Sequence, residues 1–524
     1  MKRMGRLAGR SIPVGMTTLT VLTAALASCT WGMAVESSRD GEGDGSVTIG
    51  PGAGGDRPQA PSFDRSRPPA TGEPRTLSLP EQTEVSLENG LLLVVVPRDE
   101  VPLVSITLRL PGGGSLVGPE QAGLAALTAD MLDEGTGRRT GFALAETLDG
   151  IGASLNTYSS LDYNGLDLQV LESRLDPALE LFAEVLLDPS FPEAELDRLR
   201  TQRLNRILQA EEEPRTLADD AFAQVLFGAE HPYGQPRLGR ADALRGVGRE
   251  DVVEFYGLQY VPDGAVMVVA GDVDPEEVEA RVRELFAGWA GGPPGRPTLA
   301  AVEAPRPDGP TIYIVDKPGA AQTEIRLGRV AVAAGDPDYF PLTVLNTVLG
   351  GSFTSRLNMQ LREERGYAYG AGSGFSSSVQ PGPFTARSAV FTPVTDSAVV
   401  VFVREIRRLS DEEVPEEELV RAKNYLAYRL PQRFQTVRAL ATGVMDLYFL
   451  DLPSEFYDDF VENTLAVSGE QVRNAARKWL NASEMAIVLA GDRAAIEESV
   501  RALGLGPVIV LPAPTPSSDL QEGI

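Results

Sequence analysis

The chain repeats itself, and the repeat limits what it can fold into more than any single motif does. Val266 to Asp272 reads VMVVAGD and runs into the helix-forming EEVEARVRELF, while Ala486 to Asp492 reads AIVLAGD and is followed by AAIEESVRALG. Ala270-Gly271-Asp272 and Ala490-Gly491-Asp492 lie 220 residues apart, and Val247 and Val467 keep that offset. Upstream, FPEAELDRLR from Phe191 and VPEEELVRAK from Val414 lie 223 apart. Shared strand-helix grammar alone has no reason to preserve a distance over so much chain, so the pattern reads as a duplication. Two copies follow, 77–290 and 308–512, joined at 291–307 by a Pro/Gly-rich connector that breaks regular structure.

Within each copy, LLLVVV, SITLRL and TIYIVD read as short strands, and helical spacing runs through Pro177 to Phe182 and through Phe402 to Leu409. Neighbouring strands followed by helices in series predict an α+β class. The expected architecture is two homologous tandem domains, each an antiparallel-rich sheet with helices packed on one face.

The N-terminus has the anatomy of an export signal, with Lys2, Arg3, Arg6 and Arg10 ahead of an apolar run from Val14 to Ala27. That run is short for a membrane-spanning helix. It ends Leu26-Ala27-Ser28-Cys29, which resembles a bacterial lipobox, and Cys29 is the sole cysteine of the chain. The expectation is a lipoprotein signal over 1–28 and a lipidated Cys29, which would hold the protein in the bacterial cell envelope, on the periplasmic or outer-surface side. Residues 29–76, rich in Gly, Pro and Ser, lack the apolar periodicity to bury anything and read as a disordered tether, as does the tail at 513–524.

Composition narrows the chemistry. A net charge of −27 repels nucleic acid phosphates and excludes nucleic acid as a partner. One histidine, His231, and one cysteine cannot build a zinc site from two histidines and a glutamate, three histidines or four cysteines. His231, in HPYG, reads as a structural turn residue. Gly112 to Ser115 reads as a turn, because no Gly-Lys-Ser/Thr follows to make a phosphate loop. Asp130, Asp133 and Glu134 lack the grammar of a calcium loop and read as a solvated helix end.

Leu361 to Tyr369, LREERGYAY, places an arginine and a tyrosine seven residues apart across a helix end, a Gly366 break and a strand start. A corner of this kind aims a guanidinium fork and a phenol hydroxyl into one cleft, where both can hold a backbone carbonyl. Read alone, the same residues also fit a helix end followed by core aromatics.

Taken with ENGLLLVVVP at Glu88, GASLNTYSSLDYNGL at Gly152, HPYGQPRLG at His231 and FYGLQYVPDGAVMVVAGDVD at Phe255, the chain resembles the pitrilysin/insulinase-type inverted zinc peptidases over about 430 residues. Active members carry HxxEH in a stretch of the form GxAHxxEHMxxxGT. Here the matching stretch is GLAALTADMLDEGT, with Ala126 and Asp130 at the histidine positions and Ala129 at the glutamate. The third ligand position, on a later helix, aligns near Arg206. Alanine neither binds zinc nor activates water, so the resemblance implies no metal in this chain.

The family also uses a distant Arg and Tyr in LRxxxGxAY, which match Arg362 and Tyr369, with Tyr367 as a competitor two residues earlier. Asn156 matches a position near the edge strand where substrate peptide adds as an extra strand. In bacterial branches the two functions divide between two chains. The resemblance therefore implies a subunit that contributes Arg362 and Tyr369 to a site shared with an HxxEH-bearing partner, on which the zinc is expected. A non-enzymatic scaffold or peptide-binding protein, as the respiratory-complex core subunits of the family have become, is the alternative. A self-sufficient peptidase conflicts with the single histidine.

Overall fold

The computed structural model describes residues 72–292, 309–376 and 378–512. The expectations for the signal, Cys29, most of the tether, nearly all of the connector and the tail lie outside these residues. Among the described residues, no helix is long and apolar enough to cross a membrane.

Among the described residues, twelve strands form two six-stranded sheets. The first contains β1 (Thr83–Ser86), β2 (Leu92–Pro97), β3 (Leu103–Pro111), β4 (Ser154–Ser159), β5 (Tyr163–Leu171) and β6 (Val266–Gly271), in the spatial order β1-β2-β6-β3-β5-β4. The second contains β7 (Thr311–Asp316), β8 (Gln322–Val330), β9 (Ala368–Phe375), β10 (Pro383–Phe391), β11 (Ala486–Gly491) and β12 (Val508–Leu511), in the order β12-β7-β11-β8-β10-β9. The duplication is visible strand by strand. β2 pairs parallel with β6 as β7 does with β11, and β6 runs antiparallel to β3 as β11 does to β8. Only the outermost strands differ, since β1 is antiparallel to β2 whereas β12 is parallel to β7. The fold is the expected α+β pair, and the segments read as strands are β2, β3 and β7.

Both central strands read as unbroken apolar runs because both of their faces are covered. Met267 and Val269 of β6 point into the core made by the helices of their own half. Val266, Val268 and Ala270 point the other way, into a second core whose helical side comes from the other half of the chain.

That arrangement is reciprocal. Among the helices that position the site, α1 (Leu124–Met131), α2 (Glu193–Glu211) and α3 (Pro214–Phe227) belong to the first half, and α4 (Val437–Phe449) to the second. α4 lies across β6 and β3 of the first sheet, and α3 lies across β11 and β8 of the second. In α4, Val437, Leu440, Ala441, Val444 and Met445 recur at three- and four-residue intervals, so one apolar stripe meets Val94, Val96 and Val268. Thr436 caps its first turn by accepting from the Ala439 amide at 3.1 Å. In α3, Leu217, Ala218, Phe222 and Leu226 cover Val315, Val488 and Ala490.

α3 and α4 start 223 residues apart, the same offset as the upstream repeat, so the exchanged helices are themselves copies of one another. Each apolar side chain buried in this way contributes roughly 2 kcal/mol. Each half keeps its own helices on one face of its sheet, as expected, and receives the partner helix on the other. Polar pairs seal the seam: Arg326 of β8, almost wholly buried, holds Asp219 of α3 at 2.5 Å.

Candidate functional site

The stretch corresponding to the metal motif forms α1, entered through Gly123 in the left-handed region at φ 107°. Ala129 is buried, and Asp130 faces α2. Arg206 is exposed on α2, whereas Arg203, one turn earlier and 8% exposed, turns inward and donates from Nη2 to Asp130 Oδ2 at 2.5 Å. An ion pair therefore occupies Asp130, the second histidine position of the aligned motif. Two alanines and a guanidinium do not fit a divalent cation, because they offer no donor atoms and a like charge. Among the described residues, no group of three or more His, Cys, Asp or Glu side chains is placed to hold a metal ion.

The acids at the end of α1 are paired or partly buried, not the solvated helix end expected from sequence. Asp130 is paired with Arg203 and Glu134 with Arg198. Asp133 is held in the fold where burial, followed by the charges of Glu134 and Asp130, pushes its carboxyl up to about 6. The neighbouring Tyr260 hydroxyl is fully buried and has no hydrogen-bond partner among the described residues.

Arg362 lies in a short π-helix, Met359–Glu364, an element that recurs at functional sites because it lets one turn bulge and re-aim its side chains. Leu361 is buried and anchors the turn. Gly366, at φ 63°, ends the turn, and the Tyr367 amide donates back to Leu361 O at 2.7 Å before β9 begins at Ala368. This corner separates the two tyrosines. Tyr367 precedes the strand and packs against the core of the second half. Tyr369 stands on the open face and is 89% exposed. The two do not share a strand face, and Tyr369 is the one beside Arg362, whose guanidinium lies 5.3 Å from its ring centroid.

Sequence reasoning missed a third member of this cluster. Phe353, 60% exposed, also meets the Arg362 guanidinium, with its centroid 4.9 Å away. Its loop is tied to β9 at two points. The Asn358 side chain donates to Phe353 O at 2.7 Å and accepts from the Ala371 amide at 3.3 Å, and the Ser373 amide donates to Gly350 O at 3.2 Å. A Cβ at Gly350 would meet Ser373 N at 2.4 Å, so glycine is what allows this approach. The available signal was an aromatic residue just after Gly350-Gly351, in a stretch otherwise polar until Leu357.

Arg362 thus contacts two aromatic rings, each such contact contributing roughly 0.5–1 kcal/mol when exposed. Its other close partner is Glu363, 3.3 Å from Nε. The arrangement presents a pre-ordered cation and a free phenol hydroxyl to solvent on the same surface. Together they can donate hydrogen bonds to a carbonyl oxygen and favour negative charge developing there.

Asn156 stands exposed on β4, the open edge strand of the first sheet, opposite Asp167 of β5, and so in the other half from Arg362 and Tyr369. His231 is buried at the start of a short 3-10 turn, where Nδ1 accepts from the Tyr233 amide at 3.0 Å between the rings of Phe227 and Tyr233, a structural role. Gly112 and Gly113 form a left-handed turn, and a Cβ on Gly113 would meet Ser160 O at 2.4 Å.

Comparison with known proteins places these features in context. Residues 93–238 match the family profile described as insulinase (peptidase family M16), and residues 246–426 match the one described as peptidase M16 inactive domain. An uncharacterized zinc protease of Mycobacterium leprae is 30% identical over 289 residues, covering 54% of this chain and 63% of that protein. One from Mycobacterium bovis is 30% identical over 299 residues, covering 57% and 67%. The crystal structure of a peptidase M16 inactive domain from Pseudomonas fluorescens superposes with a TM-score of 0.73 at 28% identity, covering 78% of this chain and 98% of that one.

Proposed function

The chain belongs to the insulinase (M16) peptidase family, and from that premise we propose that it is the metal-free subunit of a two-chain zinc endopeptidase, contributing Arg362 and Tyr369 to a site shared with an HxxEH-bearing partner. The observation that carries this reading is the contrast between the two motif positions. At one, catalytic ligands are replaced by alanines and the Asp130–Arg203 pair. At the other, Arg362 is held against Phe353 and the exposed Tyr369. A protein serving only as scaffold has no chemical need for the second.

In this reading the chain binds and polarises the substrate. Arg362 and Tyr369 donate to the carbonyl of the bond to be cut and stabilise its oxygen as charge builds there. Neither residue supplies a nucleophile, and the zinc that would activate water is expected on the partner. An extended peptide would add along the open edge strand near Asn156. A surface of net charge −27 favours basic segments. The export signal and Cys29 belong to the same proposal and hold the assembly in the cell envelope by a lipid anchor.

The test is reconstitution. The purified chain should cleave no peptide alone, and activity should appear on mixing with a homologous HxxEH chain, most directly the product of an adjacent gene. Activity that persists with both Arg362→Ala and Tyr369→Phe in place would transfer the case to a scaffold or peptide-binding role.

A further inference from the structure

A pocket of about 150 Å³ lies at the seam between the two halves. Its floor is a triad drawn from both. Arg109, on β3, donates from Nη1 to Asp446 Oδ1 at 2.9 Å, and Arg433, from the segment leading into α4, donates from Nη2 to Asp446 Oδ2 at 2.9 Å. Two guanidinium groups thus share one carboxylate. The other acid at the pocket, Asp162, is engaged by the Tyr233 hydroxyl and by the Val379 amide at 3.0 Å. Taken by itself the triad carries one excess positive charge, and Asp162 brings the formal charge of the whole lining to zero.

Arg109 is 7% exposed, lines the pocket, and has an Nε without a hydrogen-bond partner among the described residues. A buried donor of this kind is costly unless something satisfies it. The walls are aromatic. The Arg109 guanidinium lies 4.5 Å from the Tyr163 ring centroid and 5.7 Å from that of Phe449, and Arg433 lies 5.0 Å from that of Tyr457. A cavity of this volume is large enough for a benzene-sized body.

We propose that this pocket is a binding site for a small organic carboxylate, with the carboxylate meeting Arg109 and Arg433 and a flat apolar body lying against Tyr163, Phe449 and Tyr457. The site is separate from the Arg362 cluster and does not depend on its role. Because its walls come from both halves, occupancy would brace the seam as well as fill the pocket.

Benzoate, acetate and benzylamine, titrated into the full chain by calorimetry with thermal unfolding in parallel, distinguish the requirements. Benzoate is expected to bind saturably with a Kd on the order of 1 mM and to raise Tm. Acetate should bind at least about tenfold more weakly for want of wall contact, and benzylamine should not bind. Arg433→Gln, at a side chain exposed enough to tolerate the change, should weaken benzoate by about tenfold or more, while Arg438→Gln, whose exposed side chain meets Gln169 of β5 outside the pocket lining, should leave it unchanged. Arg109→Gln should abolish binding where the variant folds. Absence of saturable benzoate binding, equal binding of benzylamine, or an unaltered affinity in Arg433→Gln would each overturn the assignment.

Discussion

Replacing Asp130 with asparagine tests whether its contact with Arg203 is a structural ion pair. Arg203 has a side chain 9% exposed, its Nη2 reaches Asp130 at 2.5 Å, and its Nε is already without a partner. Removing the carboxylate charge strands a buried guanidinium, a change that costs about 3–5 kcal/mol when no water can enter. Asp130 itself is 34% exposed, so solvent recovers part of that, and about 2–3 kcal/mol is expected. With a urea m-value on the order of 3 kcal/mol/M for a chain of this size, the unfolding midpoint should fall by about 0.7–1 M. Replacing both partners together, Asp130→Leu with Arg203→Met, should return the midpoint to within about 0.3 M of the parent, because an apolar pair leaves no stranded charge. Arg206→Met should change little, since that residue faces solvent. A midpoint unmoved in Asp130→Asn, or a loss in Arg206→Met as large as in Arg203→Met, would refute the placement of Arg203.

Further outcomes follow from the same structure. Phe222→Ala in α3 should cost about 3–5 kcal/mol and, although the residue lies in the first half, should raise amide exchange in β8 and β11 of the second; loss confined to the first sheet would contradict the exchange of helices. Asp133 titrates at about 6 in the fold against an ordinary 3.8, so the folded chain holds a proton that the unfolded chain releases, and the associated stability is lost as pH rises from about 4 to about 6. Asp133→Asn should therefore raise Tm at pH 7.5, by the equivalent of about 1–2 kcal/mol, and leave it nearly unchanged at pH 4; thermal unfolding at the two pH values decides. Ala126→His, Ala129→Glu and Asp130→His should create stoichiometric zinc binding only when combined with a glutamate on α2, at Arg206 or at Arg203, as measured by metal analysis after dialysis.

How much of this was legible before folding varies by feature, for physical reasons. The duplication was readable because strand and helix patterns repeat at 220 and 223 residues, and the sheets reproduce it down to the pairing of β2 with β6 and β7 with β11. The exchange of α3 and α4 was not, because the spacing of Val437, Leu440 and Val444 announces an apolar stripe without naming the sheet that will cover it. Arg203 and Arg206 are one turn apart on the same helix, and only burial separates the side chain that turns in from the one that turns out. Under the alternation of a strand, Tyr367 and Tyr369 are equivalent. The corner at Gly366 places the first before the strand, so the alternation does not apply to it. The π-helical turn that aims Arg362 has no sequence signature of its own, and Phe353 joins the cluster through a loop whose path is set by contacts from Gly350 and Asn358 to β9.

The central claim is that Arg362 and Tyr369 act on a substrate whose nucleophile comes from another chain. The most direct measurement is single-turnover peptide cleavage by the reconstituted pair, with Arg362→Ala and Tyr369→Phe made in this chain alone and Tyr367→Phe as the internal control. The account predicts that each of the first two lowers the cleavage rate by about 10²–10³-fold, as loss of one donor to a developing oxyanion does, with subunit association intact and the Tyr367 variant near the parent. Cleavage by the pair that is indifferent to both Arg362 and Tyr369 would contradict it.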